Sequence, residues 1–156
     1  MVDRISSERR SWNMSRIRGA NTKPELLVRK AAHALGLRFR IQRRDLPGRP
    51  DVVFPKHRLV LFVHGCFWHR HEGCKKATTP STRTAFWQEK FDANVARDKR
   101  AVGELENLGW SVAVAWECQI GDFASAELTV RSIFAELDLP MPVDPSQSPK
   151  GKGLCE

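Results

Sequence analysis

No stretch of this 156-residue chain approaches the roughly 18 consecutive apolar residues of a membrane span, and its first residues, MVDRISSERRSW, lack the apolar core of a secretion signal. A cytoplasmic protein with no membrane partner is therefore expected. Cysteine is also sparse, with four in the chain. In a reducing compartment four cysteines read as thiols or metal ligands before disulfides. Internal repeats are missing, so a solenoid or propeller is not expected. Acidic residues are few at the start: residues 1–50 hold 13 Lys and Arg against 4 Asp and Glu, a net of +9, whereas residues 51–156 hold 13 against 14. A basic third beside a neutral remainder is the pattern expected for binding a phosphate backbone, although a solvated basic face has the same composition.

What is present describes one α/β domain, since this length buries a sizeable core without staples. The segment SSERRSWNMSRIRGANT reads as a basic helix or arm, and residues 1–21 are expected to grip DNA. The remainder, 22–139, reads as the folded domain and opens with a helix. Thr22 is placed as N-cap, Glu25 lies at capping-box spacing, Pro24 sits in the first turn and Gly36 ends the run. Leu37, Phe39 and Ile41 alternate with basic residues and predict a strand. Asp51-Val-Val-Phe and LVLFV, joined by PKHR, predict a hairpin, and the unbroken apolar run suits a strand covered on both faces. A long helix is expected over 84–108, a strand over 110–116 and a last helix over 125–137. The sheet is thus mixed and flanked by helices. Residues 140–156, rich in proline, serine and lysine, are expected to be a disordered tail, and Cys155 within it is incidental.

The chemistry concentrates in HGCFWHRHEGC, residues 64–74. Cys66, His71 and Cys74 supply three ligands of a tetrahedral zinc, and Cys118, just past a strand end, is the candidate fourth. Closure by three cysteines and a histidine leaves no open position, so such a zinc is structural; two buried thiols beside unrelated histidines remain the plain alternative. His64 and His69 are then left for acid–base work. Asp51, after a Gly-Arg-Pro turn, offers a hard oxygen ligand to magnesium and should neighbour His64 at one sheet edge. Asp98 falls on the apolar stripe of the long helix and must pair with a cation or histidine or face a cleft. Glu25 is explained equally by capping or by catalysis. Phe67 and Trp68 read as exposed aromatics able to stack on or wedge between bases.

LPGRPDVVF, FVHGCFWHRHEGC, TRTAFWQEK, NVARDKR and GWSVAVAWEC occur in an order that resembles the very short patch repair DNA mismatch endonucleases of bacteria, from about Asn13 to Glu136. The resemblance implies a restriction-endonuclease-like fold and nicking at T·G mismatches. It also implies magnesium on Asp51 and the Val63 main chain, with His64, His69, Asp98 and Glu25 serving catalysis. Further implied are zinc on Cys66, His71, Cys74 and Cys118, an aromatic wedge of Phe67, Trp68 and Trp87, and a clasp through Met14 and Ile17. A monomer acting on double-stranded DNA is expected, with other repair proteins as candidate partners. The chain departs from the wider superfamily in lacking an acidic-x-Lys signature on LVLFVH. Val63 stands where Thr is common, and Glu72-Gly73 makes the loop one residue longer than in some relatives. Two rivals are a non-catalytic zinc DNA-binding module and a zinc hydrolase with His64 or His69 in the metal shell.

Overall fold

A computed structural model describes residues 6–16 and 20–143. The elements are α1 (Ser7–Ser15), α2 (Lys23–Ala34), β1 (Val52–Phe54), β2 (Leu59–His64), α3 (Thr84–Asn107), β3 (Ser111–Trp116) and α4 (Phe123–Glu136). The strands form one sheet in the order β1-β2-β3, β1 antiparallel and β3 parallel to β2, so the expected hairpin and mixed sheet are both present. Arg58 closes the hairpin in the left-handed region (φ 47°) and donates to the carbonyls of Leu108 and Gly109 at the end of α3, which ties the turn to the start of β3.

All six residues of β2 are buried, because helices cover both sides. Side chains alternate along a strand, and the two cores follow that alternation. Leu59, Leu61 and Val63 join the cluster that includes Val28 of α2 and Val130 of α4, while Val60 and Phe62 join Leu105 of α3 on the other side. The same parity sends His64 toward α3. It also sends Asp51, two residues before Val53 of the α3-side cluster, to that face. Phe54 anchors the opposite core, edge-on to Phe134 at 5.3 Å and to Phe39 at 6.2 Å; burying one such side chain stabilises by roughly 1.5–3 kcal/mol.

Helix α2 ends as expected. Gly36 adopts φ 77°, its N–H reaches the His33 carbonyl and the Leu37 N–H reaches the Ala32 carbonyl, both at 3.0 Å, which forms a Schellman cap. Its start differs from a capping box. The Thr22 hydroxyl donates to the Glu25 carboxylate (3.2 Å) rather than capping a backbone N–H, and that carboxylate accepts from the Asn21 N–H at 2.8 Å.

Two expectations need correction. The alternating segment at 37–41 is not a strand. It touches β1 through the single bridge Arg40–Val53, then leaves at Gln42 (φ 56°), while Leu37 and Phe39 are held by core packing. Residues 140–142 are also not free of the domain: Met141 packs against the core, and Pro142 lies where a side chain on Gly36 would begin, 3.4 Å away. Val143 is exposed, and residues 144–156, with Cys155, lie outside the described residues.

The turn before Asp51 tolerates little. Gly48 sits at φ 73°, and a Cβ there would lie 2.6 Å from Ala101 Cβ and 3.1 Å from a Phe62 ring carbon. Gly73 has a similar φ, 72°, but open space around it. Gly48→Ala should therefore cost about 2–4 kcal/mol, combining backbone strain with overpacking, and lower the melting temperature by roughly 5–10 °C. Gly73→Ala should bear only the backbone part. Thermal melts of the two variants check this, and equal melting temperatures would refute the contact argument.

Candidate active site and metal cluster

A cavity of about 550 Å³ opens at the end of β2, walled by the first turn of α2 (Thr22, Pro24, Glu25), the 48–51 turn, the middle of α3 (Arg97, Asp98, Ala101) and Glu117 after β3. Asp51, His64, His69, Asp98, Glu25 and Val63 all line it. Parity, hairpin register and the length of α3 thus converge on one place. The Val63 N–H donates to Asp51 Oδ2 at 2.6 Å, which fixes the carboxylate against the end of β2. Because the N–H and C=O of a strand residue point to the same side, the Val63 carbonyl also lies toward Asp51.

Burial is the first cause that pushes the Asp51 carboxyl up to about 7; the nearby Glu25 charge adds to it, while the Val63 N–H and Arg29 oppose it. Glu25 is only 4% exposed and fully engaged by Asn21, Thr22 and Arg29. Two neighbouring carboxylates in a shielded site favour a bound cation. His69 Nδ1 lies 2.6 Å from Asp98 Oδ2. A carboxylate only accepts, so Nδ1 carries the proton and Nε2 is left for chemistry. The charge on the apolar stripe of α3 is thereby explained. His64 stacks on His69 with ring centroids 3.9 Å apart and planes 6° apart. Burial, and then the charge of His69, hold His64 down to about 4, against the pull of Asp98, so it is neutral near pH 7.

His64, His69 and Asp98 lie close enough together to be considered as ligands of one ion. Parallel rings 3.9 Å apart argue otherwise, since a metal must lie near the plane of each ring it binds. The in-plane contact of His69 is with Asp98, and it is this pair, rather than the stack, that suits proton transfer.

The second cluster abuts the first. Cys66, His71, Cys74 and Cys118 bring their ligand atoms within 4.8 Å of one another, so they could hold a metal. His71 Nδ1 is 3.6 Å from Cys66 Sγ and 3.3 Å from Cys118 Sγ, and its ring lies flat on Trp116 at 4.2 Å. Burial pushes the Cys66 thiol up to about 12, while N–H bonding from Lys76 lowers Cys74. Three sulfurs and an imidazole at these separations fit the donor set of a tetrahedral structural zinc.

The aromatics differ from the expectation of exposure. Phe67 and Trp68 are half-buried, and Trp87 is only 6% exposed. Phe67 meets Trp68, Trp87 and Phe91 edge-on at 5.0–5.7 Å, so α3 supplies a base for the loop that local sequence does not reveal. In α1, Met14 is half-buried; Ile17 lies outside the described residues. Trp12 is 51% exposed, with the Arg16 guanidinium 4.2 Å from its ring centre.

Three residues escaped the sequence reading. Arg70, in the left-handed region (φ 56°), donates to the carbonyls of Phe67, Ala77 and Thr78 and to the Thr79 hydroxyl, and lies 4.0 Å over Phe91. It separates His69, which faces the cavity, from His71, which faces the cysteines. Glu117 accepts from the Cys66 N–H at 3.1 Å while lining the cavity; its place beside Cys118 was the available signal. Arg29, 14% exposed at its side chain, holds Glu25 and Asn21, and its i,i+4 spacing from Glu25 on α2 was the available signal.

A family model described as DNA mismatch endonuclease Vsr matches residues 2–76. The type II nicking enzyme V.XorIIP of Xanthomonas oryzae pv. oryzae is 50% identical over 133 residues, covering 85% of this chain and 97% of that protein. The chain belongs to the Vsr family. The DNA mismatch endonuclease Vsr of Escherichia coli K12 is 44% identical over 120 residues, 77% of this chain and 76% of its own length. The type II nicking enzyme V.NmeAIP of Neisseria meningitidis serogroup A is 38% identical over 137 residues, 88% and 97% of the two chains. The single α/β domain and mixed sheet fit the restriction-endonuclease-like fold of this family. Among the described residues, no helix is long and apolar enough to cross a membrane.

The Asp51 environment sets a pH test on metal-free protein. Unfolded, the carboxyl loses its proton near pH 4; folded, it keeps it to about 7. Stability tied to this group is fully present below about pH 4 and is lost as pH rises to about 7, on the order of 3–4 kcal/mol in all. In chelator, Asp51→Asn should raise the melting temperature at pH 8 far more than at pH 4, and an equal gain at both would refute the burial argument.

Proposed function

We propose that the chain is a magnesium-dependent DNA mismatch endonuclease that nicks one strand 5′ of the thymine in T·G mismatches left when 5-methylcytosine deaminates. The observation that carries this reading is the convergence of Asp51, Glu25, His64, His69 and Asp98 in one cavity beside the four-ligand cluster. A non-catalytic zinc module would have no use for that set. The endonuclease and nicking-enzyme names of the relatives support DNA cleavage.

Asp51 and the Val63 carbonyl are the groups that would hold magnesium, whose chemistry when bound is to neutralise the phosphate and orient water. Water attacks phosphorus in line, the bond to O3′ breaks, and the water proton is relayed through His69 Nε2 to leave a 3′ hydroxyl and a 5′ phosphate. Asp98 holds His69 in the tautomer this needs. Neutral His64 supports the ring from behind without adding charge. Glu25 fixes the first turn of α2 against the cavity.

Zinc on Cys66, His71, Cys74 and Cys118 would lock the loop so that His69 and the aromatics share one frame. Phe67 and Trp68, resting on Trp87, provide the wedge. Unstacking costs a few kcal/mol per step and least at a weak pair such as T·G. Met14 of α1, together with Ile17, clasps the duplex. The protein acts as a monomer in the bacterial cytoplasm, with other mismatch-repair proteins as candidate partners.

Asp51→Ala should abolish nicking of a T·G duplex in magnesium while leaving mismatch binding within a few-fold. Full nicking by this variant would overturn the assignment. Cys118→Ala should lower both bound zinc and melting temperature, because structural zinc binding is coupled to folding. One zinc per chain at unchanged stability would remove Cys118 from the set.

A further inference from the structure

The cavity is acidic where a phosphodiester must enter. Asp51, Glu25, Asp98 and Glu117 all line it, and β2 carries no lysine to offset them. Arg29 cannot serve, because it does not line the cavity and its two terminal nitrogens are bonded to Asn21 and Glu25. The lysine and arginine side chains that line this cavity are Arg49 and Arg97.

These two are unlike most other arginines of the domain. Arg29, Arg43, Arg58, Arg70 and Arg131 hydrogen-bond to protein groups, and Arg9, Arg16 and Arg83 lie on aromatic rings. Arg49 and Arg97 are exposed, and among the described residues neither guanidinium has a partner. They also reach the cavity from different elements. Arg97 precedes Asp98 on α3. Arg49 is held between Gly48 and Pro50 at φ 51°, a conformation side chains rarely adopt, immediately before Asp51. Strain kept beside a site is consistent with a directional role for the residue that bears it.

We propose that Arg49 and Arg97 are the phosphate clamp of this cavity, their guanidinium groups gripping the non-bridging oxygens of the phosphodiester being cut. A planar guanidinium matches phosphate oxygens two at a time. Positioned cations offset the charge that grows on those oxygens as water adds, and they supply what the strand lacks. The proposal rests on the endonuclease reading above, and its test separates the two.

Single-turnover nicking of a T·G duplex with saturating protein should fall about 100-fold or more in Arg49→Ala and in Arg97→Ala, with zinc content and melting temperature unchanged. Arg97→Lys should recover part of the rate. Arg100→Ala, on the exposed side of α3 and outside the cavity, should change the rate less than about 3-fold and weaken binding only in a salt-dependent way. A second measurement needs no turnover: affinity in magnesium for a T·G duplex already nicked 5′ of the thymine, with and without a 5′ phosphate at the nick. Wild type should prefer the phosphorylated form and both alanine variants should lose that preference. Variant rates matching Arg100→Ala, or no phosphate preference in wild type, would overturn the clamp. A wild type that prefers the phosphate but cuts no duplex would overturn the endonuclease reading and leave the clamp standing.

Discussion

Because α2 and α4 cover one face of β2 and α3 covers the other, each residue of that strand has its side fixed by parity, and a one-residue slip would bury the wrong set throughout. The site inherits this constraint. His64 is the last residue of the strand and falls on the α3 side, where Asp98 waits one helix away with His69 in hand. Asp51 arrives on the same side from β1, and its bond to the Val63 N–H closes the corner. The geometry of the cavity follows from hydrophobic registration of the strand, with no separate scaffold for it.

The electrostatics of that corner run against stability. Burial and the neighbouring Glu25 make the charged form of Asp51 costly, while Arg29, itself largely buried, offsets part of the cost from behind. An acid placed where it resists ionisation is well suited to gaining a cation, since the ion removes the unfavourable charge and the carboxylate supplies the ligand. Holding a cation and folding would therefore make opposite demands on this one side chain.

Much of this was legible in the sequence because it depends on short-range pattern. The hairpin, the two-sided strand, the long helix with Asp98 on its apolar stripe and the four-ligand spacing all follow from periodicity or from residue chemistry at close separation. The misreadings came where tertiary contacts outrank local pattern. Leu37 and Phe39 alternate as a strand would, yet β1 is three residues long and offers that segment one bridge. Phe67 and Trp68 look stranded in a polar loop until Trp87 and Phe91 arrive from α3. Arg70 matters through backbone carbonyls, which no side-chain pattern advertises, whereas Arg29 stands at i,i+4 from Glu25 and could have been read as its partner.

Arg70 is the one residue between the histidine that faces the cavity and the histidine that faces the cysteines, and its left-handed backbone is what turns them apart. No insertion or deletion can occur between His69 and His71 without swinging one of them off its station. Length can drift only beyond His71, and there Gly73 stands in open space, where an added residue meets no neighbour. A residue added at Glu72-Gly73 would leave the Cys66–His71 spacing intact and change only the spacing from His71 to Cys74.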